Sequence, residues 1–174
     1  MPGTRLPGQH PTASPSNSTR GGADMELKVP PVIVVLVAAL LLWIGAWLMP
    51  HLTLALPGRR LLAVLLILAG LISGLQAVLT FRRRTTTTNP MAPETASVLV
   101  TDGVYRFTRN PMYLGLLALL LALAIWLGTL TALIIVPGFV WYMTEFQIKP
   151  EEERLGTLFG PPYREYLSRV RRWI

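Results

Sequence analysis

The 174-residue chain contains no cysteine. Disulfides, thiolate metal ligands and a cysteine nucleophile are therefore excluded, although this absence says nothing about compartment. Histidine is nearly as scarce: His10 and His51 fall in different loops without a neighbouring ligand residue, which argues against a metal site. Charge is thin as well. Only 14% of residues are charged against 52% hydrophobic, and the mean hydropathy is +0.48, whereas a soluble domain carries nearer a quarter charged residues. Acids are fewest, nine against sixteen lysines and arginines, for a formal net charge of +7. A basic excess can signal a nucleic-acid partner. Here the basic residues flank apolar runs, so topology and lipid headgroups account for them and no nucleic acid is expected.

What is present is long apolar segments. Residues 29–49, "VPPVIVVLVAALLLWIGAWLM", and residues 61–81, "LLAVLLILAGLISGLQAVLTF", are each long enough to cross a hydrocarbon core of about 30 Å at about 1.5 Å per residue. Pro50 ends the first, and Arg82, Arg83 and Arg84 close the second. Gly70 and Gly74 form a small-residue face where another helix can approach closely, or are ordinary small residues of a membrane helix. Leu114 to Phe146 is too long for one span. Gly128-Thr129 marks a reversal, so two short helices in a hairpin are expected, with Pro137 kinking the second. Residues 1–28, rich in Pro, Gly, Ser and Thr and without apolar periodicity, are expected to be a disordered tail lacking the features of a secretory signal. Met25 reads as an alternative start.

The expected architecture is an all-α integral membrane protein. Its four transmembrane helices lie at about 29–49, 61–81, 111–127 and 130–147 of one domain, 29–174. A cytoplasmic C-terminal segment follows, with helices at about 150–159 and 162–172. Three basic residues lie in the N-terminal tail, five between spans two and three, and six after span four. Arg59 and Arg60 alone fall on the other side. The positive-inside bias places both termini in the cytoplasm, with the cell inner membrane as the expected location.

Two polar segments share that side. In "YRFTRNPMYLG", residues 105–115, Pro111 suits the first position of a helix and Asn110 its N-cap. The helix end and the guanidinium groups of Arg106 and Arg109 attract an anion, while Tyr105 and Tyr113 offer stacking faces. The same residues equally describe a capped helix inside an interfacial aromatic belt. In residues 149–174, Pro150 is expected to open a helix with Glu151, Glu152 and Glu153 in its first turn. Gly160, Pro161 and Pro162 break it. A final amphipathic helix with Tyr163, Tyr166, Val170 and Trp173 is read as lying on the membrane surface. Three acids at an anionic headgroup layer are repelled unless they face a cation. The combined inventory suits a zwitterion such as S-adenosylmethionine, though it does not single that molecule out.

"GVYRFTRNPMYLG" followed by "EEERLGTLFGPPYREYLSRVRRW" resembles the isoprenylcysteine carboxyl methyltransferase family, related to the phospholipid N-methyltransferases. Gly103, Tyr105, Arg109, Pro111, Tyr113 and Gly115 carry the first half of the pattern; Glu151, Glu152, Leu155, Phe159, Gly160, Tyr163 and Tyr166 carry the second. The resemblance covers about residues 98–174. It implies a pocket for S-adenosylmethionine lined by Tyr105, Arg109, Asn110, Pro111, Tyr113 and Gly115 and closed by Glu151 and Glu152, with a lipophilic or lipidated acceptor entering from the bilayer. Arg106, Arg109 and Glu152 are the candidate catalytic groups; Gln147 and Lys149 are the candidates for holding the acceptor, with Arg106 or Arg154 as alternatives. Two departures bear on the acceptor. Asn110 stands where the eukaryotic pattern has His, and an amide is no base near neutral pH. Gln147 stands near an expected Arg, and a neutral amide holds a carboxylate more weakly than a guanidinium does. Phospholipid amine N-methylation is the in-class alternative. A small non-catalytic scaffold or transporter is the alternative from another class.

Overall fold

A computed structural model describes residues 29–54, 57–83 and 99–174. The expectations for the tail 1–28, for Met25 and for Arg84 fall outside the described residues. Those residues are helical with a single isolated bridge, Thr53 to Thr129.

Helix α1 spans Pro31–Leu48 with Pro31 at its start, where a missing N–H is harmless. A 3-10 turn, Pro50–Leu52, follows it. Helix α2 spans Arg59–Arg83. A second 3-10 turn, Gly103–Arg106, leads to α3, Pro111–Leu127. The expected reversal is present: Gly128 adopts φ +67°, the left-handed region in which a residue without Cβ closes a helix. A side chain there would collide with the Leu54 carbonyl. Helix α4, Ala132–Met143, contains Pro137.

Beyond α4 the structure differs from expectation. The helix does not restart at Pro150. It runs through a π-turn, Thr144–Ile148, directly into α5, Lys149–Phe159, with helical dihedrals at each junction. The acids therefore ride on a continuing helix. Gly160 (φ +59°) breaks the path, and α6, Pro161–Arg169, stops short of Val170. Nor is α6 a surface-lying helix. Its Tyr163 and Tyr166 join Val170 in a buried cluster against Leu99, Leu155 and Phe159, so its apolar face is used inside the protein.

Helices α2 and α3 touch where Gly70 meets Gly115. A Cβ added at either would lie 2.8 Å from the other's carbonyl oxygen. Gly74 contributes its backbone to the same contact, 3.4 Å from a Cβ at Gly115, while its own Cβ position is open. The main core gathers Leu42, Tyr113, Leu120, Phe139, Met143 and Ile148 from α1, α3, α4 and the π-turn.

Backbone hydrogen bonds from Leu54 to Gly128 (2.7 Å) and from Leu130 to Leu52 (2.9 Å) tie the two interhelical loops together at one end. At the other end the start of α1, the head of α3 and the π-turn assemble, with Gln147 Nε2 donating to the Val29 carbonyl at 2.8 Å. Outward faces are apolar: Leu36, Trp43, Leu65, Ile72, Ile134 and Trp141 are all exposed. Helices α1 and α2 are long and apolar enough to cross a membrane, and α3 is apolar but shorter. Such faces suit lipid, where backbone polar groups must be paired within the helix.

Candidate active site

The two polar segments meet at the head of α3. Arg109, in the loop just before it, is directed into the C-terminal part of the chain. Its Nη1 donates to Glu152 Oε1 at 2.8 Å, its Nε to the Val170 carbonyl at 2.6 Å, and its Nη2 to the Leu167 carbonyl at 3.2 Å. Glu152 is gripped from its other side by Arg172, whose Nε donates to Oε1 at 3.0 Å and Nη2 to Oε2 at 2.6 Å. The acid that would be repelled by an anionic surface thus sits between two guanidinium groups. The Glu152 carboxylate holds the Arg172 guanidinium more firmly protonated.

Its neighbour in sequence has a different environment. Glu151 Oε2 accepts a hydrogen bond from the Tyr113 hydroxyl at 2.9 Å. Glu151 is half-buried as a residue, but its carboxyl group is enclosed. Burial pushes its pKa up to about 7; the Tyr113 bond pulls the other way and the charge on Glu152 adds to the rise. One carboxylate is thus matched by cations and the next by a neutral phenol, although they are adjacent in the chain.

Tyrosines enclose the pair. Burial raises the phenol pKa values of Tyr105, Tyr163 and Tyr166, and the Glu151 charge adds to the effect on Tyr105. They stay protonated, and Tyr166 donates to the Tyr105 carbonyl at 2.8 Å. Asn110 occupies the N-cap position of α3 but its side chain does not cap it. Its Nδ2 donates instead to the Arg172 carbonyl at 2.9 Å, so the capping role expected of it is not taken up. Pro111 is the first residue of α3 as expected, and its carbonyl accepts from Ser73 at 2.9 Å. Gly115 lies one turn further on, at the crossing with Gly70.

Three other candidates lie apart from this cluster. Arg106 lines a neighbouring cleft of about 440 Å³ with Thr101, Glu165 and Arg169, which shares Tyr166 and Val170 with the cluster. Lys149 pairs with Glu145 at 2.6 Å on an exposed face. Gln147 is 1% exposed in the π-turn, and its Oε1 is buried without a hydrogen-bond partner among the described residues. It precedes Glu151 by four residues, so the two share a helix face. Sequence reasoning missed Arg172, Thr108 and the carbonyls of Leu167 and Val170. The two C-terminal arginines look the same in sequence as a run facing lipid headgroups, and backbone acceptors leave no trace in composition.

Residues 58–161, more than half of the chain, match the family model for phospholipid methyltransferases, and the chain belongs to that family. It is 46% identical over 63 residues to an uncharacterized protein of Haemophilus influenzae, covering 36% of this chain and 100% of that one. It is 32% identical over 73 residues to the protein-S-isoprenylcysteine O-methyltransferase of Schizosaccharomyces pombe, covering 42% of this chain but 31% of that protein. No solved structure matches.

Proposed function

We propose that the protein is an S-adenosylmethionine-dependent methyltransferase working at the membrane–cytoplasm boundary on a lipophilic acceptor. The observation that carries this reading is the pairing of Tyr113 with Glu151 beside the Arg109–Glu152–Arg172 cluster, all at the head of α3. The family match and the similarity to an isoprenylcysteine O-methyltransferase support it.

The residues fit the donor. An enclosed carboxyl group with a pKa of about 7, hydrogen-bonded to a neutral phenol, is stabilised as a carboxylate by a cation beside it, and the donor carries an ammonium and a sulfonium. The first-turn N–H groups of α3, with no side-chain cap, suit its carboxylate. Tyr105 and Tyr163 supply aromatic walls. When bound, the donor supplies an electrophilic methyl group. This chain's residues then bind, align and exclude water, holding the acceptor atom at a near-attack distance of about 3–3.5 Å. Tyr113 orients Glu151, and Glu151 faces the cation. Arg109 and Glu152 hold the two segments together, and Gln147 Oε1 serves the acceptor side. The short helices α3 and α4 cross the bilayer as a hairpin, giving four spans in one domain, 29–174. Both termini and the α5–α6 segment face the cytoplasm, in the cell inner membrane.

Phospholipid amine N-methylation is the second reading. Gln147 favours it, because an amide oxygen accepts from an N–H donor but repels a carboxylate. Labelled methyl donor fed to membranes from expressing cells separates the two. Label in phospholipid headgroups supports N-methylation, and label in a base-labile ester supports O-methylation. Calorimetry with S-adenosylmethionine tests the shared claim; absence of saturable binding leaves a non-catalytic membrane scaffold.

A further inference from the structure

We infer that the C-terminal strap, residues 170–173, is a working wall of this site, and that Arg172 is its positioning residue, setting the Glu152 carboxylate beside the head of α3. This inference rests on the donor reading above.

The strap leaves α6 at Val170, whose φ of −117° and ψ of 135° are extended. Its carbonyls therefore point away from the helix and need partners elsewhere. Each finds one in a single place. The Val170 carbonyl accepts from Arg109 Nε, and the Arg171 carbonyl accepts from the Arg109 backbone N–H at 3.0 Å. The Arg172 carbonyl accepts from Asn110 Nδ2 and from Thr108 Oγ1 at 3.4 Å. Three consecutive carbonyls thus bond to three consecutive residues, 108–110, immediately ahead of Pro111. On the other side Trp173 Nε1 donates to Thr144 Oγ1 at 3.2 Å, anchoring the strap to the π-turn. Ordering an extended segment costs entropy that its contacts must offset, and residues 170–173 are each held.

The Arg172 side chain reaches across to α5. Its two-point grip fixes the plane of the Glu152 carboxylate as well as its position. With Arg109 on the same Oε1, both carboxylate oxygens are engaged and the charge is offset. That matters for the next residue. Glu151 is faced by Tyr113 from α3, Tyr105 from the 3-10 turn and Tyr163 from α6, and by Glu152 from its own helix. Of these four, Glu152 is the charged one. Arg172 therefore acts on the cation-facing carboxylate through Glu152, a coupling that a purely mechanical tether lacks.

Full-length protein in detergent is titrated calorimetrically with S-adenosylmethionine between about pH 6 and pH 8.5, as wild type, Arg172→Gln, Arg172→Lys and Arg164→Gln. Arg172→Gln is expected to weaken binding roughly tenfold or more, the scale of a lost charge-assisted pair. Its affinity should also reach half its plateau at a higher pH than wild type, because the uncovered Glu152 charge opposes ionisation of Glu151. Arg172→Lys should recover part of the affinity, since a point charge cannot reproduce the fork. Arg164→Gln, on the exposed face of α6, should match wild type. Wild-type affinity in Arg172→Gln overturns the inference, and so does weakened binding with an unmoved pH midpoint. If Arg172→Gln loses its helical signal, Arg172→Lys carries the test: wild-type affinity overturns the inference, and weakened binding with a pH midpoint close to wild type, the positive charge being kept, supports it. No saturable binding in wild type sinks the donor reading first, and this role with it.

Discussion

Glu151 and Glu152 are adjacent in the chain and opposite in circumstance, and the site's behaviour follows from that contrast. Glu151's pKa in the folded protein stands above its ordinary 4.5, so the folded state binds this proton more tightly than the unfolded chain does. The contribution to stability is fully present below about pH 4.5 and is lost as the pH rises through about 7. Glu151→Gln is therefore expected to melt at a higher temperature than wild type at about pH 8 and at the same temperature at about pH 4, as measured by thermal scans in detergent. Binding of the cationic donor should move the opposite way. Wild-type affinity rises with ionisation across neutral pH, while the Gln variant binds roughly tenfold more weakly, with a flatter pH profile. Arg109→Ala removes a largely buried charge partner and the bonds to two carbonyls, and should cost about 3 kcal/mol in denaturant unfolding. The bonding environment of Arg109 and the acids, with cations set against carboxylates on one side of the molecule, was legible from charge and topology. That of Asn110 was not, because a good capping residue is equally able to donate to a distant carbonyl, and only the strap's position decides which.

The helices themselves were legible where apolar length or a special backbone angle announced them. The ends of α1 and α2 and the reversal at Gly128 follow from Pro50, the arginines and the left-handed region. The passage from α4 to α5 was not legible. Pro150 is a fair helix-opening signal, yet the preceding residues stay helical by taking one π-turn, a choice made by the packing of Gln147 and Ile148 rather than by local preference. The end of α6 at Arg169 was equally hidden, since Val170 to Trp173 continue the amphipathic pattern while bonding elsewhere. The α2–α3 crossing supports a prediction of its own. Gly115→Leu places a side chain where Gly70's carbonyl lies 2.8 Å from the first added carbon, forcing the helices apart. A cost of about 1–3 kcal/mol is expected in unfolding assays, with Gly74→Ala much milder because its Cβ position is open.

At the scale of the molecule, the positive-inside expectation assigns its two ends to opposite sides of the membrane. The loops holding Thr53 and Thr129 are tied at one end, and the Arg109–Glu152 cluster lies at the other. The lack of native cysteine makes this directly measurable. Thr53→Cys should react with an impermeant thiol reagent added outside intact cells, whereas Phe107→Cys, at an exposed position beside the cluster, should react only after the membrane is opened. The proposed methyl transfer requires the head of α3 and the acidic turn to close around one methyl donor. Ultraviolet cross-linking of radiolabelled S-adenosylmethionine to the membrane-embedded protein, followed by mapping of the labelled peptides, tests it most directly. Label confined to residues 103–115 and 149–173, and displaced by excess unlabelled donor, is the predicted result. Label elsewhere in the chain, or label that excess donor does not displace, would contradict it.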